Sequence, residues 1–222
     1  LSISFEDTAI KGPWSAFPTH LKSLFIGQGH VWSTEFANAL PPCLTQLSVL
    51  DTSMIPEGVL KALPTSIKLL SLAMKTGQAM DVLQFLPPAL ATLRIHRYPG
   101  EDPRLLLTAR LASRLPSTLT ELNIAPRTEI LRGALKLLPR GLVQLCIHHC
   151  RVNPDEFEDL PPDLENLIVN VDKALTDRHI ASLPRKISNL ELRLSSAGHS
   201  LLTPAAIDLM QPRTSPATVV LP

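Results

Sequence analysis

An apolar residue followed by proline recurs along the chain at Phe17-Pro18, Leu40-Pro41, Leu63-Pro64, Leu86-Pro87, Leu115-Pro116, Leu138-Pro139, Leu160-Pro161 and Leu183-Pro184, and these prolines are 23, 23, 23, 29, 23, 22 and 23 residues apart. Three residues after each proline stands Leu or Ile: Leu21, Leu44, Ile67, Leu90, Leu119, Leu142, Leu164 and Ile187. Six residues on stands leucine every time: Leu24, Leu47, Leu70, Leu93, Leu122, Leu145, Leu167 and Leu190. Eight residues on come Ile26, Val49, Leu72, Ile95, Ile124, Ile147, Val169 and Leu192. All 24 slots are aliphatic in a chain that is 45% hydrophobic, which chance does not produce. The unit reads L-P-x-x-[LI]-x-x-L-x-[LIV]. Alternation of the sixth and eighth slots predicts a short strand with one buried face. Proline just before a strand sacrifices no ladder hydrogen bond.

The second half of each unit predicts a short helix, the usual crossover between parallel strands. In "NPDEFEDL" Asn153 is placed as a cap, with Pro154 at the first helical position and acids in the first turn; "LTDRHIASL" starts the same way from Thr176, "LTPAAIDLM" from Thr203 and Pro204, and "WSTEFANAL" from Ser33. Val59, Leu60 and Leu63 recur at helical spacing and are expected to face the strands. Each helix should stop at the next Leu-Pro, because a residue before proline avoids helical dihedrals. Two units are longer. The fourth gains six residues in "HRYPGEDPRLLL", expected as a turn-rich insertion around Pro99 and Gly100, and the eighth carries "SSAGHSLL", expected as a loop.

The expectation is one α/β solenoid over residues 1–222, with about eight full repeats and partial units at both ends. Leu1 and Ile3 fall where a preceding unit would place its sixth and eighth slots, and in "SPATVVLP" only Val220 keeps register. A chain that opens inside a strand without an evident cap suggests a piece of a longer protein.

Outward strand positions fall five, seven and nine residues after each proline. They vary where the inward slots do not. The positions that suit a protein partner are Phe25, Leu50 and Leu69 as apolar anchors, Arg94, His96 and Arg97 at the centre, then Glu121, Asn123, Cys146, His148, Asn170, Glu191 and Arg193. Arg94, His96 and Arg97 together could also receive a phosphate or an acidic peptide.

Net charge is +1, which supplies no basic field of the kind nucleic acid binding needs. No apolar run approaches the ~20 residues of a membrane span, and no secretory signal is visible. Three cysteines, Cys43, Cys146 and Cys150, without framework spacing, and the lack of an Asn-x-Ser/Thr sequon lean toward a reducing, cytoplasmic setting. "LPRGLVQLCIHHC" concentrates Cys146, His148, His149 and Cys150, the one stretch with metal-site or thiol-nucleophile chemistry. A zinc site needs three or four converging ligands, and the outward slots on the flanking strands, Asn123, Ala125, Ile168 and Asn170, are poor ones. Neither an orienting acid nor an oxyanion site accompanies Cys146. No cofactor, metal or catalytic residue is therefore assigned.

The period and the L-x-x-L-x-L core resemble the leucine-rich repeat superfamily; "IPEGVLKALP" and "LTDRHIASLP" look like its helical variants, and the "LPxxLxxL" opening is similar to repeats of bacterial effectors, which are shorter and lack helices. The resemblance implies a curved horseshoe with a parallel sheet on the concave side and short helices on the convex side. It covers nearly the whole chain. One departure is the slot eleven residues after proline, where the family places an asparagine or cysteine ladder; here it holds Gly29, Thr52, Lys75, Tyr98, Arg127, Cys150, Asp172 and Ser195. Buried turn amides still need partners, so the loop geometry must differ or water must serve. The expected function is a non-catalytic protein-interaction scaffold. The alternatives are the substrate-recognition region of a larger enzyme, such as a ubiquitin ligase or effector, and a structural subunit of a large assembly.

Overall fold

Each Leu-Pro step closes a turn. In all eight repeats the amide three residues after the proline donates to that proline's own carbonyl, at 3.0–3.3 Å, as Leu44 does to Pro41 and Leu142 to Pro139. In seven of them the next two amides both donate to a single preceding carbonyl one repeat back, as Lys68 and Leu69 do to Thr45 at 2.8 and 3.0 Å and Glu165 and Asn166 to Val143 at 2.8 and 3.0 Å. One repeat is thereby locked to its neighbour before either strand begins. A hydroxyl or thiol two residues after the proline adds a further tie, Ser66 Oγ to the Leu44 carbonyl at 2.7 Å, Thr118 Oγ1 to Leu90 at 2.8 Å and Cys43 Sγ to Leu21 at 3.4 Å.

The computed structural model describes residues 1–5, 17–27, 33–50, 55–74, 80–97, 104–124, 127–171, 174–194, 200–204 and 218–220. The chain divides into two compact units, Leu1–Pro103 with Arg114–Leu119, and Arg104–Ser113 with Thr120–Pro222. In the first, β1 (Ser2–Phe5), β2 (Ser23–Ile26), β3 (Gln46–Val49), β4 (Leu69–Met74) and β5 (Thr92–Arg97) pair in parallel in that order. Their sixth-slot leucines, Leu24, Leu47, Leu70 and Leu93, stand level across the strands. Ile3 pairs with Leu24 and Phe5 with Ile26. The opening strand is thus two residues out of step with the proline count, which had placed Leu1 and Ile3 at those levels; the unit that follows it is shorter by two, and strand alternation keeps the inward face the same.

The second unit contains β6 (Arg104–Leu107), β7 (Glu121–Ile124), β8 (Arg127–Ile130), β9 (Gln144–Val152), β10 (Asn166–Val171), β11 (Leu175–Thr176), β12 (Asn189–Leu194), β13 (Ser200–Leu201) and β14 (Thr218–Val220). The main ladder runs β7-β9-β10-β12-β14, all parallel. Val219, not Val220, stands level with Leu192, so the last strand also departs from the proline count. A second ladder lies beyond the strand exits. β6 pairs with β8, and β8 pairs through Thr128 and Glu129 with Cys150 and Arg151 of β9; β11 and β13 pair as a separate two-stranded sheet.

That second ladder corrects two expectations. Leu105, Leu106 and Leu107 form a strand, not part of a turn, and Arg104 takes the level of Arg127 that the count had given to Tyr98. It also supplies what the missing asparagine ladder would have supplied: at Arg127 and Cys150 the exit backbone is satisfied by a neighbouring strand. Pro99 and Gly100 lie outside the described residues, as do the other exit slots; of "SSAGHSLL", Ser200 and Leu201 form β13 and residues 195–199 lie outside.

All 24 inward slots are at most 3% exposed. The second halves supply the other side of the core through Phe36, Val59, Leu60, Leu83, Leu111, Leu135, Phe157 and Ile180, all buried. Four are α-helical: α1 (Thr34–Ala39), α2 (Glu57–Ala62), α3 (Ala109–Ala112) and α4 (Asp177–Ala181). Three are 3-10 helices, Met80–Phe85, Leu135–Leu137 and Pro154–Asp159. Ser33 Oγ accepts from Phe36 N at 3.1 Å and Asn153 Oδ1 from Asp155 N at 3.3 Å, the caps expected. At α4 the Thr176 amide donates to His179 Nδ1 at 3.2 Å, so the imidazole proton sits on Nε2 and is donated to Asp155 Oδ1 at 3.0 Å. Leu40, Leu63, Leu138 and Leu160 leave their helices with ψ of 137–149°, the extended backbone that a following proline imposes.

Candidate interaction surface

The face opposite the helices consists of rows of side chains one strand apart. In the first unit one row runs Ser23, Gln46, Leu69, Thr92 and the next Phe25, Ser48, Ser71, Arg94, with Ala73 and His96 level beyond them. Phe25, Leu50, Leu69, Arg94 and His96 are all half-buried, as the flanks of neighbouring rows dictate. Arg97 continues β5 level with Met74, one step out of phase with Arg94 and His96, and its side chain lies outside the described residues. Ser71 Oγ lies 2.7 Å from His96 Nε2, a diagonal contact between adjacent strands. Burial, and secondarily the Arg94 guanidinium, hold the His96 pKa below the usual imidazole value. This corner therefore presents a neutral imidazole tied to a hydroxyl, beside a permanent cation.

In the second unit one row is Glu121, Gln144, Asn166 and Asn189, and the next is Asn123, Cys146, Ile168 and Glu191. Arg193 stands level with Asn170 and donates from Nε to Glu191 Oε1 at 2.7 Å. The expected exposure of Cys146 does not hold: the residue is 3% exposed. It occupies an outward slot, but Asn123 and Ile168 flank it at strand spacing and Gln144 Nε2 reaches its Sγ at 3.5 Å, so a small side chain is covered by larger neighbours. Burial, reinforced by the charges of Glu121 and Glu191, raises its thiol pKa against the opposing Gln144 hydrogen bond. A buried thiol that resists ionisation is a poor nucleophile.

His148 is half-buried, and Asn170 does not simply sit beside it. The β9–β10 register runs from Ile147↔Val169 directly to Val171↔Val152, so β9 spends residues 148–151 where β10 spends Asn170 alone. The extra length lets β9 turn from the main ladder into the second one. Among the described residues no group of three or more His, Cys, Asp or Glu is placed to hold a metal. The side chains of His149 and Cys150 lie outside them.

Twelve of the thirteen expected positions thus fall at outward slots, five in the first unit and seven in the second, while Arg97 falls one step out of phase with them. Sequence reasoning missed the Ser71–His96 pair, although a serine and a histidine two slots apart on adjacent strands were its signal. It also missed the second ladder, announced by the run Arg104-Leu-Leu-Leu and the alternating Arg127–Ile130.

The repeat, the parallel ladders and the aliphatic core define the class: the architecture is that of an α/β leucine-rich-repeat solenoid. No family model matches the chain, and no curated protein matches it in sequence. Among solved structures it is similar to the leucine-rich repeat-containing protein LegL7 from Legionella pneumophila, at 13% identity and a TM-score of 0.41 over 94% of this chain and 78% of that one. It is also similar to CroV588, a circular leucine-rich-repeat protein, at 21% identity and a TM-score of 0.41 over 89% of this chain; it spans 26% of the length of CroV588. Among the described residues no helix is long and apolar enough to cross a membrane.

Proposed function

We propose that the chain is a non-catalytic interaction scaffold that binds a protein partner through the outward face of its sheet. The observation that carries this reading is the contrast between the two sides of each strand. Inward slots are restricted to Leu, Ile and Val and are buried, while outward slots one residue away hold aromatic, aliphatic, amide, acidic and basic side chains that are mostly half-exposed. Packing alone would tolerate a uniform polar face there. A mixture of apolar anchors (Phe25, Leu50, Leu69) with charges (Arg94, Glu121) is the composition that recognises a protein surface.

The test is affinity capture with the immobilised chain, identification of the captured protein, and repetition with Phe25→Ala, Arg94→Ala and His148→Ala. The expected outcome is weaker capture of that same protein with unchanged circular dichroism and urea midpoint. Undiminished capture by all three variants refutes the assignment of this face.

A further inference from the structure

We propose that the second unit carries a basic, leucine-studded strip that docks onto an anionic membrane surface. The strip is separate from the sheet face and independent of the function proposed above. Among the described residues, and apart from Leu1, the exposed large hydrophobic residues are Leu106 at 46%, Leu131 at 38% and Leu137 at 44% exposure, and all belong to two adjacent repeats. They are close in space. β6, which carries Leu106, pairs with β8; the Leu131 amide donates to the Leu107 carbonyl at 3.0 Å; and α3 packs against the 3-10 helix that ends at Leu137.

Positive charge is concentrated on the same repeats. Residues 104–140 hold seven basic and two acidic residues in a chain whose net charge is only +1. Within the second unit Arg110, Arg127, Arg132, Lys136 and Arg140 are exposed. The acids of these two repeats are Glu121 on the sheet face and Glu129, exposed level with Leu106; on the adjoining 3-10 helix Pro154–Asp159, Glu156 accepts the Gly133 amide at 3.0 Å, Asp155 is paired with His179, and Glu158 and Asp159 bound the strip on that side.

The interleaving selects the partner. Leu131 is followed at once by Arg132, and Leu137 is preceded by Lys136. The first pair opens a tight turn: Ala134 N donates to Leu131 O at 3.0 Å, Gly133 adopts φ 79°, and the fully buried Ala134 anchors the turn to the core. A leucine and a cation held side by side on an anchored turn match a lipid interface, where the apolar side chain enters the acyl boundary and the cation meets headgroup phosphates. An acidic protein would instead have to provide a separate apolar pocket for each leucine.

The experiment is sedimentation of the full chain with vesicles of phosphatidylcholine alone and of phosphatidylcholine with about 30% phosphatidylserine, at about 0.1 M and about 1 M salt, where the screening length falls from about 10 Å to about 3 Å. Binding is expected to the anionic vesicles only, and to disappear at high salt. A basic residue near such a surface is worth about fivefold in partitioning, so Arg132→Gln with Lys136→Gln should weaken binding about 25-fold. Leu131→Ala with Leu137→Ala should weaken it several-fold while leaving the salt dependence intact. These side chains are exposed, so both variants are expected to keep the native circular dichroism spectrum and urea midpoint. The proposal is overturned if the full chain does not sediment with anionic vesicles, or if the folded glutamine variant binds them as the parent does. Binding to polyglutamate without binding to vesicles also overturns it and assigns the strip to an acidic protein.

Discussion

Leu145→Ala probes the physical basis of the fold most directly. Leu145 is fully buried and stands between Leu122 on β7 and Leu167 on β10, each about 4.8 Å away at strand spacing. Truncation removes three carbons, worth about 2.4 kcal/mol at about 0.8 kcal/mol per buried methylene. The void adds roughly 1–2 kcal/mol, because two laddered neighbours cannot both collapse into it without breaking register. The expected loss is therefore about 3–4 kcal/mol, read from urea unfolding followed by circular dichroism. A double-mutant cycle sharpens the reasoning. Leu145→Ala with Leu167→Ala should be non-additive by about 0.5–3 kcal/mol, since the two share one cavity, whereas Leu145→Ala with Leu190→Ala, two strands apart, should add within about 0.5 kcal/mol. A single-mutant loss below about 1 kcal/mol, or equal coupling in both pairs, refutes stacked inward rungs as the source of stability.

Thr118→Val keeps the shape of the side chain but deletes the hydroxyl that donates to the Pro88 and Leu90 carbonyls at 2.9 and 2.8 Å; a loss of about 0.5–1.5 kcal/mol is expected in the same unfolding assay. Gly133→Ala meets no atom within 4 Å of a new Cβ, so its cost is the left-handed backbone at φ 79° alone, about 1–2 kcal/mol. His96 has a depressed folded-state pKa, so its neutral form favours folding above the unfolded value of about 6.5, and that contribution is lost as pH falls through the folded value. Urea midpoints measured from pH 7 down to about pH 5 should therefore fall more steeply in the parent than in His96→Gln.

The core was legible because it repeats. Every inward slot named from spacing is buried, since a side chain six residues after proline has one environment that eight copies report independently. The caps at Ser33 and Asn153 were legible for the local reason that a side-chain oxygen and an amide two or three residues on need nothing else. What was not legible depends on length. The proline count misplaced Leu1 and Ile3 at one end and Val220 at the other, because hydrogen bonding between strands sets their level and proline spacing only follows it. On the outward face the alternation was right and the exposure of Cys146 was wrong. Whether an outward side chain is reached by solvent depends on the size of Asn123, Gln144 and Ile168 around it, which its own slot does not report.

The six-residue insertion shows how the exit backbone and the repeat length are linked. Arg104 lies seventeen residues after Pro87, and its register partner Arg127 lies eleven after Pro116; the difference equals the whole excess of the fourth repeat. From β6 onward the two repeats run in step again, Leu107 and Ile130 each preceding the next proline by nine. The extra residues must therefore be taken up between β5 and β6, in 98–103, before the second ladder begins. Repeats can accept length at that point because the turn at each proline and the parallel pairing of β6 with β8 hold the chain on either side. Stability thus resides in the inward slots and the proline turns, while the exit side can change length and composition with little cost. Leu106 and Leu131, two of the exposed leucines, lie on that exit side.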